Sequence, residues 1–244
     1  MTSYQSGDRM QQWQPPQKPA ELTEARLIQA ILDDVFPINS NLPSERVLAV
    51  QLGTTRPTLR EALQRLSRDG WLEIRHGKPT RVRDYWQEGN LSVLAAVAGH
   101  SEHLPQHFVR DLLQVRILLA PTYIRLAIER EPVQVESLLT EILVTIQDAP
   151  SFTRADWQLH FQCTRFSGNP VFTLILNGFK DLYALVGEVY FSNPEACAVS
   201  RNFYTQLLAC ARSQLPQEAE TLTRQVMEQS LRFWLDTERA ASNS

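Results

Sequence analysis

No apolar run in this 244-residue sequence approaches the length of about 18 residues that a membrane-spanning helix requires, and the N-terminus lacks the charged-then-apolar pattern of an export signal. Cysteine is scarce as well: Cys163, Cys197 and Cys210 are an odd number, at no metal-ligand spacing. This count excludes a disulfide framework as the basis of the fold and favours buried thiols in a reducing compartment. We therefore expect a cytoplasmic protein that holds neither a metal nor a cofactor.

A large excess of charge of one sign is also missing, since the formal net charge is only -3. The distribution of the charge is more informative. Residues 46–83 hold nine basic and three acidic groups, whereas residues 91–244 hold 12 basic and 16 acidic groups. A positive segment on an acidic body predicts one phosphate-binding region, although a basic cluster taken alone is more often a solvated charged face.

The first part of the chain predicts a tail followed by short helices. Residues 1–20 are rich in Gln and Pro without apolar periodicity, which predicts a mobile tail. Apolar residues at helical spacing over 21–36 predict a first helix that ends at Pro37. A second, short helix is predicted between Pro43 and Gly53.

A third helix follows at once and completes a helix-turn-helix. Thr55 is placed as its N-cap, Pro57 is tolerated in its first turn, and Gly70 marks its end. Its predicted buried stripe consists of Leu59, Ala62, Leu63 and Leu66. Two short helices separated by a turn that contains glycine are typical of a helix-turn-helix.

A β-hairpin, or wing, is predicted directly after the helix pair. Residues 71–75 and 80–83 alternate apolar and polar side chains, and the turn-forming residues 76–79 lie between them. Residues 21–86 are therefore predicted to form one winged helix-turn-helix domain.

From about residue 90 the strand patterns end and amphipathic stretches predict a seven-helix bundle. The stretches cover roughly 91–100, 105–130, 132–147, 151–168, 170–192, 196–213 and 216–238. The predicted fold class is mainly α, with a linker and first helix over 87–104 and an all-helical domain over 105–240.

The third helix has the side chains that a recognition helix needs. Arg56 and Arg60 lie four residues apart on its exposed face near the N-terminal end, and arginine is suited to bidentate contact with guanine. Thr55 and Thr58 offer hydroxyl groups there. The structural alternative is that Arg60–Glu61 and Arg65–Asp69 are surface ion pairs of little energetic value.

Two neighbouring segments would extend this surface. Arg46, near the start of the preceding helix, is placed to contact the DNA backbone or a base. Gly77 permits a close approach of the wing, and His76 with Lys78 would enter the minor groove.

The run LPSERVLAVQLGTTRPTLREALQRLSRDGWLEIRHGKPTRV resembles the winged helix-turn-helix of the GntR family of bacterial regulators. Within that family it is most similar to the FadR-type regulators of fatty-acid metabolism, and SGNPVFTLILNGFKDLYALVGEVYFSNPEA resembles the same type. The resemblance implies a homodimer on a short palindromic operator that represses fatty-acid degradation genes and activates some genes of unsaturated fatty-acid synthesis. Its implied DNA-contacting positions are Arg46, Thr55, Arg56, Thr58, Arg60, His76 and Gly77.

The resemblance also implies release from DNA by a long-chain acyl-CoA bound in the helical domain. An acyl-CoA needs an apolar tunnel with polar groups at its mouth. The last helix offers Leu222, Val226, Ser230 and Trp234 four residues apart on one face, three of them apolar enough to line a tunnel. The positions that match acyl-CoA contacts are Arg116, Tyr190, Ser230 and Trp234. The alternatives are that this stripe is ordinary core and that Arg116 pairs with Glu188 or another acid inside the bundle.

Two departures from the FadR-type pattern bear on the ligand. Val226 and Met227 stand where the pattern has a Tyr followed by a Gly, and a Met beside Ser230 would narrow the tunnel mouth or change the preferred acyl length. Pro121 is expected to break a long helix just after Arg116 and to kink it.

Two other classes of function remain open at this stage. Related GntR proteins hold a divalent metal through an Asp, a His four residues later and two further His; Asp156 and His160 have the first spacing, but no His follows His160. A satisfied core or surface histidine is the preferred interpretation. An enzyme acting on acyl-CoA is disfavoured, because the sequence has no nucleophile elbow and no phosphate-binding glycine loop, and its histidines cluster only at His100, His103 and His107.

Overall fold

The computed structural model describes residues 18–99 and 107–242, so the predicted tail over 1–20 lies almost wholly outside the described residues. The chain divides into two units, residues 1–90 and 91–244. The mainly α fold class is confirmed, since the single sheet of the described ranges has two short strands. In these ranges no helix combines the length and the apolar character needed to cross a membrane.

The first unit consists of three helices, a hairpin and one further helical turn. Its elements are α1 Pro19–Leu32, α2 Glu45–Gln51, α3 Arg56–Asp69, β1 Leu72–Glu73, β2 Arg81–Val82 and α4 Tyr85–Glu88. Buried apolar side chains from these elements form its core: Leu27, Ile31, Leu48, Leu59, Leu63, Leu66, Trp71, Leu72 and Val82.

The first helix ends earlier than the sequence indicates. It stops at Leu32, and Asp34 adopts a left-handed backbone conformation with φ 58°. The N–H groups of Val35 and Phe36 both donate to the carbonyl of Ala30, which closes the helix with a turn. The predicted end at Pro37 was therefore wrong by about one helical turn, because the chain leaves the helix before the proline.

The third helix forms as its sequence predicts. The Thr55 hydroxyl accepts a hydrogen bond from the backbone N–H of Thr58, and Gly70 ends the helix with φ 97°, a conformation that favours glycine. The four residues of the predicted apolar stripe are all buried. The N-cap, the glycine end and the buried face predicted for this helix are confirmed.

The wing is shorter than its alternating pattern predicts. Only Leu72 with Val82 and Glu73 with Arg81 pair as strand residues. The other edge of β2 pairs with the chain before α2, since the N–H of Val82 donates to Ser40 and that of Leu42 donates to Thr80. The second strand therefore lies between β1 and residues 39–42.

The second unit contains eight helices within the described ranges, not seven. They are α5 Leu91–Ala98, α6 Phe108–Arg130, α7 Pro132–Thr145, α8 Ala149–Phe166, α9 Pro170–Asn177, α10 Lys180–Phe191, α11 Pro194–Arg212 and α12 Pro216–Ser242. The additional helix arises because the stretch 170–192 divides at Gly178 and Phe179, whose N–H groups form tight turns onto Ile175 and Leu176. Glycine has a low helix propensity, which favours the break there.

Pro121 does not break its helix. The helix α6 continues through it from Phe108 to Arg130, and Pro121 is buried inside the unit. Packing of α6 against α12 and α8 holds the helix together where propensity alone would end it.

The core of the second unit contains polar as well as apolar side chains. Cys163 and Cys210 are buried free thiols and Cys197 is a half-buried one. Two ionisable side chains, Asp156 and His160, are also buried. A buried ionisable side chain needs hydrogen-bond or charge partners, so we expect both residues to have such partners inside the unit.

Candidate functional sites

The exposed face of α3 begins with two arginines one helical turn apart. Arg56 is the first residue of the helix and Arg60 follows it by four positions; both are exposed. Thr55, the N-cap, is exposed too, whereas Thr58 is half-buried and its hydroxyl lies 2.8 Å from that of Thr55. The backbone amides of this capped first turn point towards the same end, as anion-binding helix ends do.

Arg60 is held by a side chain of the preceding helix. Its Nε donates to Oε2 of Glu45 at 2.7 Å. Arg65 instead pairs with Glu61 at 2.7 Å and with Glu24 of α1 at 3.6 Å. The pairs Arg60–Glu61 and Arg65–Asp69 expected in the structural alternative are therefore not the ones that form.

Two predicted DNA-contacting arginines are exposed and carry no salt bridge within the described ranges. They are Arg46, the second residue of α2, and Arg56. Because Glu45 reaches Arg60, the N-terminal turn of α2 lies beside the exposed face of α3. Cations without an internal partner on such a surface are available to phosphates and base edges.

The wing has a neutralised base and a basic tip. Glu73 accepts from Arg75 at 2.7 Å and from Arg81 at 2.9 Å, and these hydrogen bonds, the one from Arg75 first, lower the pKa of Glu73. At the tip, His76, Gly77 and Lys78 are all exposed. Gly77 has φ 70°, a left-handed backbone conformation that favours glycine, and a Cβ at this position would contact no other atom.

A largely apolar pocket lies within the second unit, between α6, α8, α9, α10 and α12. It encloses about 910 Å³, counting the open space at its mouth. The four predicted ligand residues, Arg116, Tyr190, Ser230 and Trp234, all stand in its wall. Its apolar lining includes Leu112, Leu119, Phe172, Ile175, Leu176, Phe179, Leu182 and Val186. Such a lining, mostly apolar with a few polar groups, matches that of a small-molecule site.

Two hydroxyl groups of the wall bind each other. The Ser230 hydroxyl donates to the carbonyl of Val226 at 3.0 Å and lies 3.0 Å from the hydroxyl of Tyr190. Because Ser230 donates its single hydroxyl hydrogen to the Val226 carbonyl, Tyr190 is the donor in the hydrogen bond between the two hydroxyl groups. Burial raises the pKa of Tyr190, which keeps its hydroxyl protonated.

Trp234 reaches towards the end of α12. Its indole N–H donates to Oε1 of Glu238 at 2.9 Å. The residues one and two turns before Ser230 do not line the pocket: Val226 belongs to the buried core and Leu222 packs against it. Met227 is also buried in the core, so the expectation that it narrows the tunnel mouth was wrong.

Arg116 is neutralised inside the unit by an acid other than Glu188. Its Nη2 donates to Oδ2 of Asp156 at 2.7 Å, and the same nitrogen lies 2.6 Å from Nε2 of His160. Tyr204 donates to Oδ1 of Asp156 at 2.8 Å, and Tyr183 donates to Oδ2. The charge expected to seek a ligand phosphate thus already has a carboxylate partner.

The electrostatics of this cluster fix its charges. Burial by itself would raise the pKa of Asp156, but Arg116 above all, then His160, lowers it to about 2. Burial and then Arg116 lower the pKa of His160 to about 3. Burial would lower the pKa of Arg116, but Tyr183 and Asp156 outweigh it and raise the pKa. The cluster therefore holds one positive group, one negative group and a neutral imidazole.

Sequence patterns alone missed three tyrosines of this cluster. Tyr123, whose hydroxyl lies 2.6 Å from Nδ1 of His160, follows Arg116 by seven residues and so shares its helix face. That spacing was the available signal for Tyr123. Tyr183 and Tyr204 come from α10 and α11, and nothing in the local sequence links them to Asp156.

Within residues 18–99 and 107–242 no group of three or more candidate metal ligands is found, so no third such ligand accompanies Asp156 and His160 there. The bond to the Arg116 guanidinium occupies the space in which a cation would interact with both side chains. His160 is fully buried, so the interpretation of a satisfied core histidine is the one that the contacts support. Among the histidines of the enzyme alternative, His100 and His103 lie outside the described residues.

A capped helix with exposed arginines, a preceding helix that contacts it and a wing together define a winged helix-turn-helix of the kind that DNA-binding regulators contain. Similarity to known protein families specifies the type of regulator. Residues 19–82 match the gntR family of bacterial regulatory proteins, and residues 83–243 match the FadR C-terminal domain. The chain belongs to the GntR family, with a C-terminal domain of the FadR type.

Curated relatives match over most of their length. The fatty acid metabolism regulator protein of Pectobacterium carotovorum subsp. carotovorum is 39% identical over 218 residues, covering 89% of this chain and 91% of the relative. The protein of the same name from Shewanella sp. strain MR-4 is 40% identical, with 89% and 90% covered. Among solved structures, that of Listeria monocytogenes Lar has a TM-score of 0.59 at 14% identity, covering 88% of this chain and 95% of Lar, and supports the fold alone.

Proposed function

We propose that this protein is a cytoplasmic, homodimeric DNA-binding regulator of fatty-acid metabolism that leaves its palindromic operator when a long-chain acyl-CoA binds to its C-terminal unit. As its resemblance to FadR-type regulators implies, it would repress genes of fatty-acid degradation and activate some genes of unsaturated fatty-acid synthesis. The names of the relatives and the two domain families support the physiological role.

The DNA-binding half of the proposal depends on the surface around α3. Its main support is that Arg56 is exposed without a salt bridge in the described ranges, one helical turn from Arg60. Paired guanidinium groups on the N-terminal part of a recognition helix are suited to guanine O6 and N7 in the major groove. Arg46 and the wing tip with His76 and Lys78 would add contacts on either side.

The ligand-binding half depends on the pocket. Its wall brings together Arg116, Tyr190, Ser230 and Trp234, which come from three different helices. Its remaining lining is almost entirely aliphatic and aromatic, which suits an acyl chain and not a small polar acid. A metal-assisted sensor of an organic acid is not favoured, because Arg116 stands where the metal would interact with Asp156 and His160.

The test is a release experiment. Fluorescence anisotropy of the full chain on an operator duplex should show salt-sensitive binding that micromolar oleoyl-CoA reverses, while free CoA and free oleate have smaller effects. A scrambled duplex serves as the specificity control. Equal binding to both duplexes would contradict sequence-specific DNA binding. Tight operator binding that oleoyl-CoA does not affect would contradict the proposed acyl-CoA effector.

A further inference from the structure

One exposed residue of the recognition helix α3 has no role in the surface described above. Pro57 is the second residue of the helix, between Arg56 and Thr58, and it is exposed. Proline is compatible with this position, because the backbone N–H that it lacks would have no partner inside the helix. Helix geometry therefore explains why a proline is tolerated here, but it gives the exposed ring no function.

Pro57 occupies the middle of the face that α3 turns away from the core. At about 100° per residue, the buried Leu59 and Leu66 project in directions about 160–180° from that of Pro57. Arg56 and Arg60 lie on one flank of the proline, within about 60–100° of it. The ring thus presents an apolar surface beside the two guanidinium groups that are proposed to contact base edges.

The proline also removes a backbone donor from the end of the helix. Pro57 has no N–H group, and Thr58 donates its own to the Thr55 hydroxyl at 3.3 Å. In this first turn only the N–H of Arg56 has no partner within residues 18–99 and 107–242. Phosphate binding at a helix N-terminus depends on free N–H groups, so this end of α3 is better suited to a base edge than to a phosphate.

The chemistry of the ring restricts which group of the DNA it can recognise. The ring has neither a donor nor an acceptor, so it cannot distinguish bases by hydrogen bonds. The apolar group on the base edges of the major groove is the C5-methyl of thymine. Burial of the ring against this methyl is favourable, whereas packing it on an amino group or oxygen of another base would take that polar group out of water.

We propose that Pro57 is a specificity-determining residue that contacts the C5-methyl group of a thymine in the operator. This inference rests on the proposed function and adds an apolar contact to base recognition by Arg56 and Arg60. The contact selects thymine over cytosine at that position, because cytosine has no methyl group. A contact of the ring with a sugar would carry no such selectivity.

The experiment removes the methyl group and leaves the base pairing unchanged. An operator duplex is selected from random-sequence DNA with the full wild-type chain, and each of its thymines is replaced in turn by deoxyuridine, which lacks the C5-methyl group. Fluorescence anisotropy gives the Kd of every duplex. At one position, or at one symmetric pair of positions, each replacement should weaken wild-type binding about fourfold, the effect of one buried methyl group. Pro57→Ser, which removes the ring and restores the N–H, should bind the thymine and deoxyuridine duplexes with equal affinity there.

Pro194→Ser is the matched control, because Pro194 is an exposed proline at the start of α11 in the second unit. It should keep the fourfold preference. Specific operator binding by a wild type that distinguishes thymine from deoxyuridine at no position would overturn the inference alone, and so would a Pro57→Ser variant that keeps the preference. Equal affinity of the wild type for all duplex sequences would overturn the proposed operator recognition as well.

Discussion

Arg60 on the recognition helix is bonded to Glu45 on the preceding helix, with 2.7 Å between Nε and Oε2. The Arg60 side chain is 60% exposed and that of Glu45 is 35% exposed, so the pair contributes little to stability. The main effect of this pair is to fix the position of the Arg60 side chain. A guanidinium held in one orientation beside Arg56 has lost part of its freedom before DNA arrives, which lowers the entropy cost of binding.

Replacing Arg56 by alanine should weaken operator binding by about 1–3 kcal/mol and flatten base preference, because the lost group would contact a base edge directly. Anisotropy on matched and scrambled duplexes measures both effects. Arg68→Ala is the control: Arg68 is an exposed arginine in the last turn of the same helix, paired with Asp69. Equal losses of affinity in the two variants would mean that Arg56 contributes only non-specific electrostatic attraction to DNA.

Glu45→Ala, which leaves Arg60 no acceptor at this position, should change overall DNA affinity and sequence discrimination in opposite directions. Removing the carboxylate takes a negative charge away from a DNA-facing surface, so affinity for any duplex should rise at low salt. The same change releases Arg60, so the ratio of operator to scrambled affinity should fall, by about two- to tenfold if Arg60 loses most of one hydrogen bond to a base. If the ratio stays at its wild-type value, Glu45 has no part in positioning Arg60.

Trp234→Phe should impair release from DNA without affecting DNA binding. The variant keeps an aromatic wall for the pocket but loses the indole donor to Glu238. The phenyl ring also offers an acyl chain less apolar surface than the indole does, so acyl-CoA affinity should fall by roughly 1 kcal/mol. A calorimetric titration and an operator-release curve measure the two properties. Ser230→Asn, which adds bulk beside Tyr190, should blunt release further. Parallel loss of DNA binding would show that these residues are structural.

Local sequence patterns predicted the recognition helix well and the ligand site only in part. The cap Thr55, the end at Gly70 and the buried stripe of α3 all depend on neighbours within four residues, which a sequence displays directly. The wing was predicted too long because β2 bonds on its other side to residues 39–42, and no local pattern reveals that pairing.

In the helical unit, too, local sequence patterns do not reveal contacts between residues far apart in the chain. Arg116 meets Asp156 across 40 positions and Tyr123 meets His160 across 37, so the charge balance of the pocket depends on tertiary packing. The sequence identified Arg116 as a charge that needs a partner, and it also indicated the Asp156–His160 spacing. That these two observations describe one cluster became visible only in the fold.

His160→Gln should make the second unit less sensitive to mild acid. His160 has its pKa lowered from 6.5 to about 3 in the folded chain, so between these values the unfolded chain takes up a proton that the folded chain does not. Stability is therefore lost as the pH falls from about 6.5 towards 3, with a slope approaching one proton, or about 1.4 kcal/mol per pH unit. Asp156, lowered from 3.8 to about 2, adds its own loss progressively below about pH 5, and this loss is common to the wild type and the variant.

Between pH 6 and pH 4 the free energy of unfolding should consequently fall less steeply in His160→Gln than in the wild type, because glutamine does not titrate and still offers an amide oxygen to Arg116. Urea denaturation at half-unit steps of pH, followed by near-ultraviolet circular dichroism, measures the slope. His76→Gln, at the exposed wing tip, controls for the loss of a histidine elsewhere. If His160→Gln kept the wild-type slope, His160 would take up a proton as readily in the folded chain as in the unfolded chain. The neutral imidazole assigned to the pocket cluster would then be wrong.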